Sequence, residues 1–586
     1  MDIFVFLSLI GGLALFLYGM DLMGDSLKRL AGGKLESILG RLTSTRWRGF
    51  LLGFVVTAVI QSSSATTVML VGFVNSGIMK LGQTISIIMG ANIGTTVTAW
   101  LLSTADIQGT AILMKLLKPE SFTPILAMAG LLITMTAKNN MRKNTGTILI
   151  GFAVLMFGMQ MMSSAVSGLR DEPAFISILT MFSNNPVMGI LVGTIFTAII
   201  QSSSASVGVL QALALSCAIP YSTAIPVILG QNIGTTITPI ISAVTGNTES
   251  RRVAMACLLI KMIGVIVVAA AFYLLYSVLD FAFMGTNISA FQIAIVHTLF
   301  NVISTIILMP FCRQIEKLVV RLVPERKFEK EKDVFDTLDE RFLTIPAFAV
   351  EKCRELVYDM ARISAETFTK ATRLLDAYDA NGFEEVERLE GTIDKYEDKI
   401  STYLVKIAGK QLSQKDSRAV TELLHCVGDL ERISDHALNV AEAAKEVNDK
   451  NISFSQKAKE DLAVIIASVR EILEITVQAL TKEDTEAAGK VEPLEQVIDN
   501  LKRQIKNGHI SRLRQGDCTM ELGFILSDLL TNCERVSDHC SNIAVCVIEI
   551  THAAFESHEY LRQMKTGGSE EYSRLYAAYS EKYFIQ

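Results

Sequence analysis

Charge is what the first half of this 586-residue chain has least of. Residues 1–312 hold 16 Lys and Arg and 10 Asp and Glu, against 38 and 50 in the remaining 274. A stretch so poor in charge cannot coat a water-facing surface. With 50% hydrophobic residues and a mean hydropathy of +0.38, a single soluble domain and a disordered chain are both excluded. The nine cysteines include no C-x-x-C pair, which argues against a disulfide scaffold or a zinc knot. A basic excess is missing too: the net charge is −6, so no nucleic-acid partner is expected. What remains is an apolar half of net +6 followed by an acidic half of net −12.

The apolar half contains runs near the ~20 residues needed to cross a bilayer: Ile3–Met23, Leu81–Leu102, Phe122–Ala137, Thr147–Ala165, Ser222–Ala243, Val253–Leu279 and Ala290–Pro310. The first is too long, and too soon followed by more apolar chain, for a cleaved signal peptide. Two further runs, Phe50–Gly77 and Val187–Ala218, are interrupted by Gln61-Ser62-Ser63-Ser64 and Gln201-Ser202-Ser203-Ser204, 140 positions apart. At the same offset, Gly90-Ala91-Asn92-Ile93-Gly94-Thr95-Thr96 matches Gly230-Gln231-Asn232-Ile233-Gly234-Thr235-Thr236. Two motifs at one spacing mark an internal duplication, residues 1–142 and 143–312.

Charge bias orients the copies. Lys28, Arg29, Lys34, Arg41, Arg46 and Arg48 follow the first span, whereas the equivalent stretch of the second copy has Arg170 beside Asp171 and Glu172. Since Lys and Arg gather on the cytoplasmic side, the copies are expected to be inverted. Threading the chain with the interrupted runs as re-entrant hairpins puts every strongly basic loop, and the acidic half, in the cytoplasm.

Non-helical backbone at membrane depth is tolerated where it lines a cavity or is buried in protein. A Gln-Ser-Ser-Ser turn between half-helices supplies hydroxyls, an amide and the N–H groups of a helix start, the donors an oxyanion wants. An Asn-Ile-Gly-Thr-Thr segment lets a helix open and present carbonyl oxygens to a small hard cation. Isolated serines in a membrane helix usually bond their own backbone or ease packing; duplication of both motifs favours a ligand site at the midplane, as in secondary transporters. No Lys or Arg flanks the serines, so an anion there needs neutral donors and a co-bound cation. Midmembrane carboxylates are absent from the repeat cores, which disfavours a proton relay. Lys261 either snorkels or is functional. His297 and Asn301 share one face of the last span and suggest a packing or gating hydrogen bond.

The paired motifs resemble the type II sodium–phosphate cotransporter family over about residues 1–309. The resemblance implies sodium-coupled transport of inorganic phosphate. It assigns phosphate to Gln61, Ser62, Ser63, Ser64, Asn92, Thr95 and to Gln201, Ser202, Ser203, Ser204, Asn232, Thr235. Sodium falls to Thr66, Asn92, Thr96 and to Ser206, Asn232, Thr236. His297-x-x-Phe300-Asn301 also resembles the family's closing helix, while Met114-Lys115-Leu116-Leu117 in the first copy departs from it.

After a linker at 313–347 containing the charged run Glu325–Lys332, long amphipathic helices take over. This half is duplicated as well. Glu431-Arg432-Ile433-Ser434-Asp435-His436 recurs as Glu534-Arg535-Val536-Ser537-Asp538-His539, and Glu390 with Asp394 recurs as Glu495 with Asp499. Each copy reads as three helices: about Phe348–Asp379, Phe383–Ala408 and Gln414–Val447, then Gln456–Thr481, Glu483–Asn507 and Met520–His552. Carboxylates four apart share a face, so these pairs and a His either converge on a divalent or iron centre or form a solvated face tied by Arg432 and Arg535. The half resembles PhoU domains over about Val350–Thr551, which implies paired three-helix bundles with metal clusters; residues 554–586 form a tail.

The reading is thus an all-α polytopic membrane protein of two inverted repeats with re-entrant hairpins, carrying a cytoplasmic PhoU-like domain at 348–553. Its expected partners are inorganic phosphate, sodium and the lipid bilayer. The expected function is sodium-coupled phosphate transport by alternating access across the plasma or inner membrane, with the helical domain regulatory. A phosphate sensor without net transport is the alternative. A serine hydrolase is disfavoured by the absence of a Gly-x-Ser-x-Gly elbow, and no enzyme activity is expected.

Overall fold

The computed structural model describes residues 3–39, 45–106, 119–137, 139–167, 177, 181, 185–325, 333–410, 412–515, 518–551 and 570–585. Arg41, Arg170–Glu172, Met114–Leu117, residues 326–332 of the charged run, residues 552–553 and residues 554–569 of the tail lie outside them. Among the described residues regular structure is helical, with one isolated β-bridge between Pro220 and Asn287. The chain divides into two units, Met1–Ile345 and Pro346–Gln586.

In the first unit, α1 (Ile3–Leu39) packs along the later α7 (Asn140–Val166). Gly12 lies on Gly158 and Gly19 on Gly151, so tightly that a Cβ at Gly19 would sit 2.3 Å from the Leu155 amide nitrogen. The helices run antiparallel. They share the run Ala14 to Met20, repeated as Ala153 to Met159 with Gly19 matching Gly158, so the two glycine contacts are one contact seen twice across a pseudo-two-fold axis. That is the local geometry of an inverted repeat, built on small residues as membrane crossings commonly are.

Between them, α2 (Arg46–Ile60) and α3 (Ser63–Asn75) form a hairpin, followed by α4 (Leu81–Gly94), α5 (Thr96–Ser103) and α6 (Pro119–Thr136). In the second copy α8 (Pro186–Ile200) and α9 (Ser203–Ser216) form the hairpin, followed by α10 (Tyr221–Gly234), α11 (Ile237–Ala243) and α12 (Thr248–Leu279). The last span, α13 (Ala290–Leu308), leads into the amphipathic α14 (Cys312–Leu322). Among the described residues six runs are long and apolar enough to cross a bilayer: Ile3–Leu30, Leu81–Asp106, Met141–Val166, Tyr221–Ala243, Thr248–Leu279 and Ala290–Leu322. The seventh expected span, Phe122–Ala137, is not among them; its apolar part, Ser121–Thr136, is a shorter helix, and at 1.5 Å per residue it falls short of the ~30 Å hydrocarbon core.

The 3₁₀ turns Val334–Thr337 and Glu340–Thr344 close the first unit. Phe342 is buried with its ring centroid 5.3 Å from that of Phe73 at the end of α3.

The second unit is two sets of three helices: α15 (Pro346–Leu374), α16 (Ala380–Ala408) and α17 (Gln414–Asp449), then α18 (Gln456–Lys482), α19 (Val491–Gln515) and α20 (Met520–Thr551). Apolar residues at helical spacing, such as Val386, Ile393 and Ile400 on α16 or Leu494, Ile498 and Leu501 on α19, are buried in each set. α17 packs against α20 between the sets. Within the region expected to be a tail, α21 (Glu570–Lys582) lies on α19, where Asn500 donates to the Tyr576 hydroxyl at 2.7 Å.

Candidate functional site

The hairpins are built alike. Gln61 ends α2 at φ 60° and Gln201 ends α8 at φ 60°, a left-handed conformation that costs a non-glycine residue energy. Each backbone N–H closes its helix, Gln61 onto the Thr57 carbonyl at 2.8 Å and Gln201 onto the Thr197 carbonyl at 2.7 Å. Ser62 and Ser202 then cap the returning helices, accepting at 3.2 Å from the Ala65 and Ala205 amides. The next amides, of residues 63 and 64 and of 203 and 204, stand at helix starts with no intrahelical acceptor. Lower in each hairpin, Thr57 donates to Thr66 Oγ1 at 3.0 Å and Thr197 to Ser206 Oγ at 2.7 Å. Thr66 and Ser206, expected near sodium, therefore also latch the two arms together.

The two corners face each other. Ser64 Oγ donates to the Gln201 carbonyl at 3.4 Å, although 137 residues separate them in sequence. Thr98 donates to Gln61 Oε1 at 2.7 Å, while its counterpart Thr238 reaches the Gln201 carbonyl at 3.5 Å. Gln61 is buried and Gln201 exposed; Ser63, Ser203 and Ser204 are buried, and Ser62, Ser64 and Ser202 half-buried.

The second motif breaks a span in both copies. α4 gives way to α5 at Thr95, and α10 to α11 at Thr235 and Thr236. Thr95 and Thr96 donate to the Ala91 and Ile93 carbonyls at 3.0 and 2.8 Å. Thr235 and Thr236 donate to the Asn232 and Ile233 carbonyls, each at 2.7 Å. With their protons so engaged, these hydroxyls have only oxygen lone pairs left to offer, which is what a hard cation takes. Asn232 turns its amide back to the Ile228 carbonyl at 2.9 Å, and Asn92 is half-buried.

Two polar groups here, Gln231 and Gln211, have no role assigned from the sequence. Buried Gln231 donates to the Ser206 carbonyl at 3.0 Å, and its Oε1 has no partner among the described residues. Gln211 ties the Ala99 and Ala290 carbonyls together at 3.0 and 2.9 Å. Gln231 stands where the first copy has Ala91, so duplication gave no signal for it. Lys261 does not snorkel: it is buried and donates to Thr235 Oγ1 at 2.6 Å. Asn301 bonds the His297 carbonyl at 2.8 Å, a packing bond within α13.

In the second unit, carboxylate oxygens of Glu390, Asp394 and Asp435 lie within 4.8 Å of one another, as do those of Glu495, Asp499 and Asp538. Burial, then Asp394 and Asp435, push the Glu390 carboxyl above its ordinary range; burial, then Glu534 and Asp499, do the same to Asp538. Each triad gathers three carboxylates, and an all-oxygen donor set fits a divalent cation. Glu431 and Glu534 fall outside the two triads. Glu431 is raised by burial and by Asp435, whereas Glu534 pairs with Lys502, and Arg535 approaches Asp538 at 3.5 Å. The histidines point elsewhere. His436 and His539 stack on each other with centroids 5.6 Å apart, held through Nδ1 by Asn532 and Asp429 at 2.8 Å each.

A family model described as Na+/Pi-cotransporter matches residues 15–164 and 167–304, and one for the PhoU domain matches 357–444 and 464–547. Over 563 residues the chain is 22% identical to the "Putative inorganic phosphate export protein YjbB" of Salmonella typhimurium, covering 94% of this chain and 99% of that one. A segment of 93 residues is 38% identical to sodium-dependent phosphate transport protein 2A of Rattus norvegicus, covering 15% of this chain and 14% of that one. Among solved structures, PhoU from Pseudomonas aeruginosa aligns with a TM-score of 0.33 and 22% identity over 35% of this chain and 97% of that one.

Proposed function

The chain belongs to the Na+/Pi-cotransporter family and carries a PhoU domain after its membrane half, and from this we propose that it moves inorganic phosphate across the cell membrane coupled to sodium. Phosphate binds between the two serine corners, against the hydroxyls and helix-start amides of Ser62–Ser64 and Ser202–Ser204 and beside Gln61 and Gln201. Sodium sits at the helix breaks near Asn92–Thr96 and Asn232–Thr236, with Thr66 and Ser206 adjacent, and partly neutralises the anion it accompanies. Rocking of one inverted repeat against the other exposes the site to either side in turn. The observation that carries this reading is the meeting of the two hairpin corners, Gln61–Ser64 with Gln201–Ser204, each turned at a left-handed glutamine.

Reconstituted protein should take up labelled phosphate in proportion to a sodium gradient. A Ser63→Ala/Ser203→Ala double variant should lose at least tenfold in flux while remaining folded, because one hydroxyl donor to an oxyanion is worth roughly 1.5–3 kcal/mol. Wild-type protein that binds phosphate but shows no sodium-driven flux would point to a sensor; unchanged flux in the double variant would remove the serines from the site.

The PhoU domain, placed in the cytoplasm, binds a divalent or iron cation through Glu390, Asp394 and Asp435 and another through Glu495, Asp499 and Asp538, and regulates transport. Glu431 and Glu534 border these triads. The metal would offset the mutual repulsion of the clustered carboxylates. An Asp394→Asn/Asp435→Asn variant is expected to melt a few degrees higher than the wild type when metal-free, at roughly 2–4 °C per kcal/mol of relieved repulsion. Manganese should then stabilise the wild type at that triad and not the variant, which calorimetry and metal analysis of the full chain will show.

A further inference from the structure

Lys261 sits on α12, thirteen residues from the start of that helix, with 7% of its surface exposed. Its ammonium donates to Thr235 Oγ1 at 2.6 Å, and among the described residues no carboxylate pairs with it. Cys257, one turn earlier, reaches Thr67 of α3, so α12 here touches the first hairpin and the second helix break together. Unspent polarity is buried here as well: Gln231 Oε1, one turn before Thr235, and His297 Nδ1 have no hydrogen-bond partners among the described residues. A lone ammonium in a membrane core is costly, and such residues are retained where an opposite charge comes and goes.

The two copies differ on this point. Residue 121, 140 positions before Lys261, is serine, and Thr95, the counterpart of Thr235, donates to its own helix with no Lys or Arg bonded to it among the described residues. Thr235 Oγ1 spends a lone pair on the ammonium, and a sodium ion beside that ammonium would be repelled.

Resting on the transport reading above, and revising one of its two sodium positions, we propose that Lys261 is a resident counter-ion for phosphate: its ammonium takes the place of the sodium ion assigned there to the second-repeat break, leaving the first-repeat break, Asn92–Thr96, to sodium. The consequence is an asymmetric site in which one positive charge is fixed to the protein and the others are carried.

The test is thermal unfolding of the purified full chain in detergent, titrated with inorganic phosphate at several sodium concentrations, for the wild type, Lys261→Met, Lys261→Gln and Lys261→Arg. Removing an unpaired buried charge should leave the phosphate-free melting temperature of Lys261→Met equal to or above that of the wild type, which guards against simple misfolding. Its phosphate affinity should fall more than tenfold, and the sodium dependence of binding should steepen by about one ion, with Lys261→Gln alike. Lys261→Arg should stay within about threefold of the wild type. Folded Lys261→Met and Lys261→Gln that bind phosphate with wild-type affinity and sodium slope would overturn the counter-ion role alone. A wild type that phosphate fails to stabilise at any sodium concentration would overturn the transport reading on which it rests.

Discussion

Gly90→Ala and Gly230→Ala are each expected to yield little folded protein and no phosphate flux. A Cβ at residue 90 would lie 1.9 Å from the Phe50 carbonyl oxygen, and one at residue 230 would lie 2.0 Å from that of Ile190. Both obstacles are backbone, so no rotamer change relieves them; α2 must move off α4, or α8 off α10, by more than an ångström. Gly53 and Gly193 press from the opposite side, against the Ile87 and Val227 carbonyls. Separating the pair shifts the arm that ends at Gln61 or Gln201 and draws the strained corner away from Thr98 or Thr238. Gly391→Ala and Gly428→Ala are the controls: nothing lies within 4 Å of a Cβ at either, and in a helix interior alanine is favoured by up to about 1 kcal/mol. Size-exclusion profiles and reconstituted flux check both halves of the prediction. Wild-type flux from Gly90→Ala would mean that α2 and α4 do not pack as described.

Those glycines also show what the sequence could convey. Gly53, Gly90 and Gly94 repeat at the 140-residue offset as Gly193, Gly230 and Gly234, yet a glycine in an apolar helix reads as a mild weakness until another backbone is seen against it. The serine corners and the Asn-Ile-Gly-Thr-Thr breaks were legible because polar runs inside apolar spans have few explanations and duplication removed most of them. The hairpins and breaks followed from polar runs interrupting apolar ones, and the inversion from the opposite Lys and Arg bias of the two copies. Lys261 was not legible, since a lysine two turns inside a span can turn either way and its direction depends on Thr235, which arrives from another helix. The histidines after Asp435 and Asp538 were grouped with the acidic residues because they adjoin them in sequence. One position along a helix is a 100° turn, and it carries them into the contact between α17 and α20 instead. The shortness of the run at Phe122–Ala137 was visible in the count of its residues. Why the fold accepts it is a matter of packing against α7, which composition does not report.

The segment before the second unit carried the weakest signal and supplies the second large effect. Phe342→Ala should cost about 3–5 kcal/mol locally, the usual range for deleting a fully buried phenylalanine side chain. Phe342 is 1% exposed, and Gly72 leaves the space its ring fills, since a Cβ there would lie 2.8 Å from Phe342 Cε1. Asp339 pairs with Arg341 at 3.2 Å and accepts from Asn75 at 3.0 Å; Asn75 in turn accepts from the Asn247 amide at 3.0 Å and from Ser250 at 2.9 Å. Residues 339–342 thus staple the end of α3 to the start of α12, the helices that carry Ser62–Ser64 and Lys261. α3 has 13 residues, so the staple stands ~20 Å from the serine corner at the other end of one straight helix. Loosening it should speed amide exchange at 334–345 and in the last turn of α3 by a hundredfold or more, and trypsin should cut after Arg341. Phe342→Leu, which refills most of the space, should show a much smaller change. Equal exchange in wild type and Phe342→Ala would mean that the hydrogen bonds around Asn75 hold the segment without the ring; faster exchange with unaltered phosphate flux would mean that the far end of the helix does not set the geometry of the serine corner.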